Sequence, residues 1–238
     1  MKVLSLFDGI SCGMVALERA GIPVERYVAY EIEANAIKIS KKNYPQIEHC
    51  GDVTTADFMQ YKGFDLLIGG RQCQSISIVQ SKTRQNLDGK SKLFFEFVRA
   101  FEEMKAKYFL FENVASMKAE DRDYLTECMG VEPIRINSKL VCAALRDRYY
   151  WTNIQGITQP EDKGITLQSI LTSGYADREK ARTLLVSDSR PLRDKQKMLH
   201  RYKKFTTLIW EEKENDDSIR YLNQTELERC QTVPEGYT

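Results

Sequence analysis

The chain has 238 residues, enough for one large α/β domain or for a domain with an insert. Its formal charge of +1 gives no indication of an acidic partner, and 42% apolar residues are enough to form a core. Six scattered cysteines without a C-x-x-C pair, and two distant histidines, argue against a disulfide framework or a metal site and favour a reducing, cytoplasmic location. The short N-terminal apolar run, interrupted by Asp8, is not typical of a signal peptide, and no stretch is long enough to span a membrane.

Strands and helices are predicted to alternate from residue 1 to about residue 153. The predicted strands are residues 3–7, 26–30, 64–68, 108–111 and, as a late strand or hairpin arm, 148–153. The predicted helices are residues 14–20, 34–43 and 93–104. This alternation predicts a mostly parallel sheet with helices on both faces.

The alternation is lost over residues 154–220, where turn residues increase and charge becomes segregated. Residues 178–204 include ten lysines and arginines but only three acidic residues, with aromatic residues interleaved. Such a pattern is typical of nucleic-acid binding, although a solvated basic surface has the same composition. We therefore predict a small second lobe with a basic face, followed by a final helix at residues 225–232.

Three segments at the ends of predicted elements suit a small-molecule site. Phe7-Asp8-Gly9-Ile10-Ser11 follows the first strand and opens a helix, Glu31 ends the second strand, and Asp52 is a third candidate at the same edge. Each alone is equally consistent with an ordinary turn or a surface acid. The three in order favour a ligand that contains a nucleoside.

Cys73 comes soon after a predicted strand that runs into Gly69-Gly70, and a thiol at the carboxyl edge of a sheet is placed for nucleophilic chemistry. Glu112 ends the next predicted strand, where a partly desolvated carboxylate suits proton sharing with a ring nitrogen or, alternatively, caps a helix. Arg146 and Arg148 share one face of an extended segment, which suits phosphate or carbonyl recognition or a solvated surface.

Taken in order, these segments resemble the DNA (cytosine-5)-methyltransferase family, especially small phage and bacterial members and their eukaryotic de novo relatives. The matching segments span nearly the whole chain: Phe7-Asp8-Gly9-Ile10-Ser11, Glu31, Asp52-Val53, Cys73-Gln74, Glu112-Asn113-Val114, Arg146-x-Arg148 and Arg229-Cys230-Gln231-Thr232-Val233-Pro234. The resemblance implies a Rossmann-like α/β fold with a mixed, mostly parallel sheet. It implies a catalytic domain at residues 1–153, a small target-recognition region at 154–220, and a C-terminal helix at 221–238 that returns to the catalytic domain.

The resemblance also implies a reaction, the transfer of a methyl group from S-adenosylmethionine to C5 of cytosine in duplex DNA, as in DNA methylation and restriction–modification. Cys73 would add to C6 of a cytosine flipped out of the duplex, Glu112 would hold N3 and the exocyclic amine, and one or both of Arg146 and Arg148 would hold O2. The implied cofactor residues are Phe7, Asp8, Gly9, Ile10, Ser11, Glu31, Ile32, Asp52, Val53 and Gly70. The implied DNA contacts are Arg71, Gln74, Ser75, Lys82, Arg84, Arg190, Arg193, Lys195, Arg201 and Lys203.

Three departures from the family pattern stand out. Arg71-Gln72 replaces the usual Ser-Pro or Phe-Pro, so the loop before Cys73 loses the residue that fixes its backbone, and we expect impaired activity. Ala144 stands where many bacterial members have glutamine, which is a milder change. A segment with Gly-Asn-Gly, which usually completes the cofactor pocket, is absent from the 238 residues, and this implies a pocket open on one side.

Two alternative functions remain open from the sequence. One is a non-catalytic DNA-binding protein with the same fold, which the Arg71-Gln72 pair favours. The other is methylation of RNA, because some members of the family act on tRNA. The sequence does not indicate an oligomeric state.

Overall fold

A computed structural model of the chain describes residues 1–70, 89–185, 188, 192–213 and 215–238, with residues 89–92 described by their backbone alone. The chain divides into two compact units. The first comprises residues 1–136 and 148–157, and the second comprises residues 137–147 and 158–238. Among the residues described, no helix combines the length and the apolar composition needed to cross a membrane.

A seven-stranded sheet forms the centre of the first unit. Two of its residues, Asn137 and Asp147, belong to the second unit. Its strands are β1 (Lys2–Leu6), β2 (Arg26–Tyr30), β3 (Glu48–His49), β4 (Leu66–Gly70), β5 (Tyr108–Val114), β6 (Ile134–Asn137) and β7 (Asp147–Thr152), in the spatial order β3-β2-β1-β4-β5-β7-β6. Strands β1 to β5 pair in parallel, and β7 pairs antiparallel with β5. The predicted mixed, mostly parallel sheet is therefore confirmed.

In the part of the first unit that the structure describes, four helices accompany this sheet: α1 (Cys12–Arg19), α2 (Ala34–Asn43), α3 (Gly89–Met104) and α4 (Ala119–Met129). Two short 3-10 helices, Val53–Thr55 and Phe58–Tyr61, lie between β3 and β4. The first three helices were predicted, with α3 starting four residues earlier than expected, whereas α4 was not predicted.

Alternation along β5 divides its side chains between the two faces of the sheet. Phe109 and Phe111 are each about 1% exposed and belong to the main apolar core, together with Phe97 of α3 and Leu125 of α4. Because strand residues alternate, Glu112 lies on the other face, at the carboxyl edge. The apolar run of β5 thus fixes the position of a carboxylate at its end.

The second unit contains α5 (Leu167–Ile170), α6 (Lys195–Lys204), the antiparallel pair β8 (Ile209–Trp210) and β9 (Ile219–Arg220), and α7 (Gln224–Gln231). The helix predicted at residues 225–232 is confirmed as α7 to within one residue. Asn223 and Glu226 form a capping box at its start, which explains why the helix begins there.

The unit boundaries differ from those predicted. Residues 154–157 belong to the first unit and residues 137–147 to the second, and the second unit also includes 221–238 instead of returning them to the catalytic domain. The physical reason is that α7 buries Cys230 in an apolar cluster with Leu167 of α5. The predicted role of the second unit in target recognition stays a prediction.

Glu226 is fully buried and connects three parts of the second unit. Its carboxylate accepts hydrogen bonds from the Arg220 guanidinium at 2.7 and 2.9 Å, from the Thr172 N–H and hydroxyl at 2.9 Å each, and from the Asn223 N–H at 3.0 Å. Burial opposes ionisation, but these donors outweigh it and lower the pKa of Glu226 to about 2. The side chain is therefore an ionised structural acid.

We predict that Glu226→Gln lowers the free energy of unfolding at neutral pH by about 3 kcal/mol, because the change removes the charge from a buried ion pair. The folded pKa lies below the ordinary value of 4.5, so the carboxylate stabilises the fold above that pH, and its contribution declines as the pH falls towards 2. Urea unfolding at pH 7 and pH 3 measures the gap between wild type and variant, which should narrow at pH 3. Glu235→Gln, which alters an exposed pair with Arg229, is the control and should change little. An equal gap at both pH values would contradict the assignment.

Candidate active site

A cleft of about 380 Å³ lies in the first unit at the carboxyl ends of β1, β2 and β4. Its lining residues are Phe7, Tyr30, Glu31, Ile32, Glu33, Gly51, Asp52, Val53, Gly70 and Leu93. Six of these were predicted from the sequence as cofactor residues. Tyr30, Glu33 and Gly51 were missed although they are chain neighbours of predicted residues, and Leu93 was missed because it comes from α3.

The carboxylate of Glu31 is held by three backbone N–H groups. Oε2 accepts from Gly9 at 2.9 Å, and Oε1 accepts from Ile32 at 2.8 Å and from Glu33 at 2.9 Å. A carboxylate has about four acceptor positions, so one on Oε2 has no donor among the residues that the structure describes, and it lies beside the cleft. Glu31 is therefore oriented by the protein while it keeps one position for a ligand hydroxyl.

Apolar and acidic groups line the cleft together. Ile32 lines the cleft and is 74% exposed, whereas Val53 is 4% exposed and forms part of the core. Asp52 starts the 3-10 helix Val53–Thr55, and its Oδ1 accepts from the N–H and the hydroxyl of Thr54 at 2.9 Å each. This combination suits a ligand with a flat apolar group, hydroxyls and positive charge.

Asp8, Gly9, Ile10 and Ser11 were predicted as cofactor residues, but they are not in the lining of the described cleft. Asp8 accepts hydrogen bonds from the Tyr27 hydroxyl at 2.7 Å and from the Ser11 hydroxyl at 2.5 Å. Burial raises the pKa of Asp8, although these hydroxyl donors partly oppose that rise. This loop supports the cleft through the Gly9 N–H, which binds Glu31.

Glu112 and Arg148 form a buried ion pair across β5 and β7. Arg148 Nε lies 2.6 Å from Glu112 Oε1, with the Arg148 side chain 5% and the Glu112 side chain 22% exposed. In the antiparallel register Glu112 is opposite Tyr150, so Arg148 is its diagonal neighbour on the same face. Two residues predicted to act on the base are thus in direct contact.

Glycines at the end of β4 allow close approach from two neighbours. A Cβ at Gly70 would lie 2.9 Å from Glu112 Oε2 and 3.0 Å from Glu112 Cβ, and a Cβ at Gly69 would lie 2.5 Å from the Phe97 ring. Any side chain at either position would displace these groups. Gly70 therefore lies both in the cleft and against the Glu112 carboxylate.

Several predicted site residues lie outside the described part of the chain. They are Cys73, Arg71, Gln74, Ser75, Lys82, Arg84 and Arg190. Arg146 belongs to the second unit, where its N–H donates to Asn137 Oδ1 at 3.3 Å and its carbonyl accepts from the Ser138 N–H at 3.0 Å.

The basic stretch of the second unit divides into internal and exposed side chains. Lys180 donates to the carbonyls of Lys139 at 2.7 Å and Ile165 at 2.5 Å, so it serves the fold. Arg178 stacks on the Tyr202 ring at 4.7 Å and pairs with Asp177 at 2.9 Å. The predicted DNA contacts Arg193, Lys195 and Lys203 are exposed, and Arg201 is partly buried.

Metal ligands do not cluster in the described ranges, where no group of three histidine, cysteine or acidic residues could hold a metal ion. The five cysteines in those ranges, Cys12, Cys50, Cys128, Cys142 and Cys230, are free thiols.

The fold and the cleft define a Rossmann-like α/β domain with a cleft at the carboxyl edge of its sheet. The crystal structure of the S. pombe Dnmt2 methyltransferase matches the whole of this chain and 88% of that chain, with a TM-score of 0.71 and 16% sequence identity. Residues 1–130 match the C-5 cytosine-specific DNA methylase family, and the chain belongs to this family. The resemblance inferred from the order of the motifs is confirmed.

Curated relatives include phage and bacterial enzymes. The orphan methyltransferase M.SPRI of Bacillus phage SPR is 29% identical over 152 residues, which cover 63% of this chain and 34% of the relative. The type II methyltransferase M.Eco47II of Escherichia coli is 37% identical over 123 residues, which cover 50% of this chain and 28% of the relative. The chain thus spans about a third of the length of these relatives.

We predict that Arg148→Met lowers the free energy of unfolding by about 3 kcal/mol, because it leaves a mostly buried carboxylate without its cation. Arg26→Met is the matched control, since Arg26 Nε lies 2.7 Å from Glu48 Oε1 in a pair with side chains 44% and 48% exposed. The control should lose about 1 kcal/mol or less. Urea unfolding of both variants measures the difference, and equal losses would show that burial does not distinguish the two pairs.

Proposed function

We propose that this chain transfers a methyl group from S-adenosylmethionine to C5 of cytosine in duplex DNA and releases S-adenosylhomocysteine. The observation that carries the proposal is the position of Gly70, which lines the cleft and touches the Glu112 carboxylate. A methyl donor in the cleft and a base held by Glu112 would therefore both lie next to Gly70. Membership of the cytosine-specific methylase family supports the same reaction.

The cleft fits the chemistry of S-adenosylmethionine. Glu31 keeps one acceptor position for a ribose hydroxyl, as acids at the end of a second strand do in nucleotide-binding folds. The exposed side chain of Ile32 offers apolar surface to the adenine ring, and the acidic lining favours the positively charged parts of the molecule. When bound, this cofactor supplies an electrophilic methyl group.

Glu112 is proposed to hold N3 and the exocyclic amine of the flipped cytosine. Its oxygen Oε1 lies 2.6 Å from Arg148 Nε, and this ion pair holds the carboxylate in position. Arg148 contributes through that orientation, and the family resemblance implies that one or both of Arg146 and Arg148 hold O2 of the base. Preorganised charge of this kind stabilises a ring that gains electrons during the reaction.

Cys73 is the proposed nucleophile, three residues beyond Gly70. Its thiolate sulfur would form a bond to C6, which makes C5 nucleophilic, and C5 would then accept the methyl group. Transfer of the C5 proton to a water molecule then restores the double bond between C5 and C6 and expels the Cys73 thiolate. The target base must leave the duplex because C6 is inaccessible inside the stack.

Duplex DNA is the proposed partner of the exposed basic residues of the second unit. Arg193, Lys195 and Lys203 carry exposed charges on or next to α6, and phosphate neutralisation by such side chains dominates DNA affinity.

We predict that duplex DNA with 5-fluorocytosine at the target position traps a covalent adduct with the wild-type chain when S-adenosylmethionine is present. Fluorine at C5 blocks the final elimination, so the sulfur–C6 bond persists. Cys73→Ser should give no adduct, and Glu112→Gln should slow its formation by about a hundredfold because a neutral amide stabilises a protonated N3 less than a carboxylate does. Denaturing gel electrophoresis measures the adduct, and Glu48→Gln, an exposed acid of the same type, is the control.

The outcomes separate the proposal from its alternatives. Salt-sensitive DNA binding without adduct, also in the double variant Arg71→Ser with Gln72→Pro, would support a non-catalytic DNA-binding protein. Methyl transfer to tRNA in preference to duplex DNA would instead support an RNA enzyme.

We predict that the double variant Lys195→Ala with Lys203→Ala weakens duplex DNA binding and lowers the slope of log affinity against log salt by about one for each lost phosphate contact. Fluorescence anisotropy between 50 and 200 mM salt, roughly the range over which such slopes are steep, measures the change. Lys62→Ala, an exposed lysine of the first unit, is the control. An unchanged slope would exclude this surface from DNA contact.

A further inference from the structure

A chain of hydrogen bonds connects the loop after β1 to α2 and β3 inside the first unit. Ser11 Oγ donates to Asp8 Oδ2 at 2.5 Å and lies 2.6 Å from Ser40 Oγ, which lies 3.1 Å from His49 Nε2. Tyr27 donates to the other oxygen of Asp8 at 2.7 Å. Neither Ser40 nor His49 lines the cleft or belongs to a motif of the family resemblance.

The side chain of Ser11 takes part in this hydrogen-bond chain instead of capping helix α1. Ser11 occupies the N-cap position of α1, where a serine side chain normally accepts from the helix backbone, but its side chain makes no capping bond. Its hydroxyl is fully buried against Asp8 and Ser40 instead. The helix loses a cap, and the loop gains a connection to α2.

The loop has a backbone that needs such support. Phe7 and Ser11 have positive φ angles of 58° and 63°, a conformation that costs residues other than glycine about 1 kcal/mol or more. Between them, Gly9 donates its N–H to Glu31 at 2.9 Å. The conformation of the loop therefore determines the orientation of the acid in the cleft.

His49 is suited to be the donor at the far end of the chain. Nε2 meets Ser40, whereas Nδ1 is buried and has no hydrogen-bond partner among the described residues. Burial lowers the pKa of His49, with Asp8 and Glu31 opposing this effect and Lys41 adding to it. When the neutral ring carries its hydrogen on Nε2, His49 donates to Ser40, Ser40 donates to Ser11, and Ser11 donates to Asp8. Nδ1 then has no N–H that would need a partner.

We propose that Ser40 and His49 are positioning residues for the cofactor site, which hold Asp8 and Ser11 so that the Gly9 N–H orients Glu31. The part that concerns the cofactor rests on the proposed function, because it takes the cleft as the site of S-adenosylmethionine. The part that concerns the loop is independent of any ligand.

Ser40→Ala tests the inference because alanine keeps the helix and removes only the hydroxyl. Amide hydrogen exchange in the ligand-free protein should accelerate about tenfold at Gly9, the effect of one lost buried hydrogen bond. The dissociation constant for S-adenosylhomocysteine, measured by calorimetry, should rise by a similar factor. His49→Gln, whose amide nitrogen can replace Nε2, should preserve both values, whereas His49→Ala should reproduce the effect of Ser40→Ala.

Thr126→Val is the matched control, because it also removes a hydroxyl from a helix of the first unit. The hydroxyl of Thr126, on α4, accepts a hydrogen bond from Trp151 Nε1 at 3.0 Å. It should lower the melting temperature without changing exchange at Gly9. Equal exchange at Gly9 in Ser40→Ala and in the control would overturn the inference. Failure of the wild-type chain to bind S-adenosylhomocysteine would overturn the proposed cofactor, while exchange at Gly9 would still decide whether Ser40 and His49 hold the loop.

Discussion

The absence of a side chain at Gly70 is the constraint on which the candidate site depends. Strands β4 and β5 pair in parallel with Gly70 opposite Glu112, and a Cβ at Gly70 would lie 2.9 Å from a carboxylate oxygen. A Cβ at Gly69 would lie 2.5 Å from the ring of Phe97 of α3, which packs in the core. Because the two glycines make room for both neighbours, the end of β4 joins the cleft wall to the carboxylate and also anchors α3.

The segment that carries the cleft residue Val53 is held in place by a charged residue, Arg99, which does not itself line the cleft. Arg99 of α3 lies 4.3 Å from the centre of the Phe58 ring, pairs with Glu96 at 2.6 Å, and donates to the carbonyls of Ala56 at 3.0 Å and Val53 at 3.4 Å. It thereby ties a cleft-lining segment to the helix that follows the Cys73 segment. Removing one partner of a buried ion pair is costly, but the whole pair adds little net stability compared with apolar residues of similar volume, so the gain from Arg148 is the orientation of Glu112. The Arg99 side chain is 31% exposed, and its contribution is likewise the position of the segment it binds.

The elements predicted best are those whose ends carry a local signal. Strand β2 and helix α2 were predicted to the residue, since β2 is an apolar run that ends at Glu31 and α2 ends before Pro45. Helix α4 was missed because it lacks a side-chain cap at its start and buries only a narrow set of residues. Strand β3 has two residues and exists through its pairing with β2, which no local pattern shows. The second unit combines residues 137–147 with 158–238, and such a distant pairing is equally invisible in the sequence.

Asp8 and Glu31 show why a motif does not reveal which of its residues face a ligand. Both acids follow strands at the same edge of the sheet, and the sequence treats them alike. Asp8 is enclosed by Ser5, Ser11 and Tyr27, none more than 3% exposed, so burial dominates its pKa although hydroxyl donors favour its charge. Glu31 is held by backbone N–H groups and still has an acceptor position beside the cleft. The direction of the acceptor position that the protein leaves open, and not the place of the acid in the sequence, decides which of the two can bind a ligand.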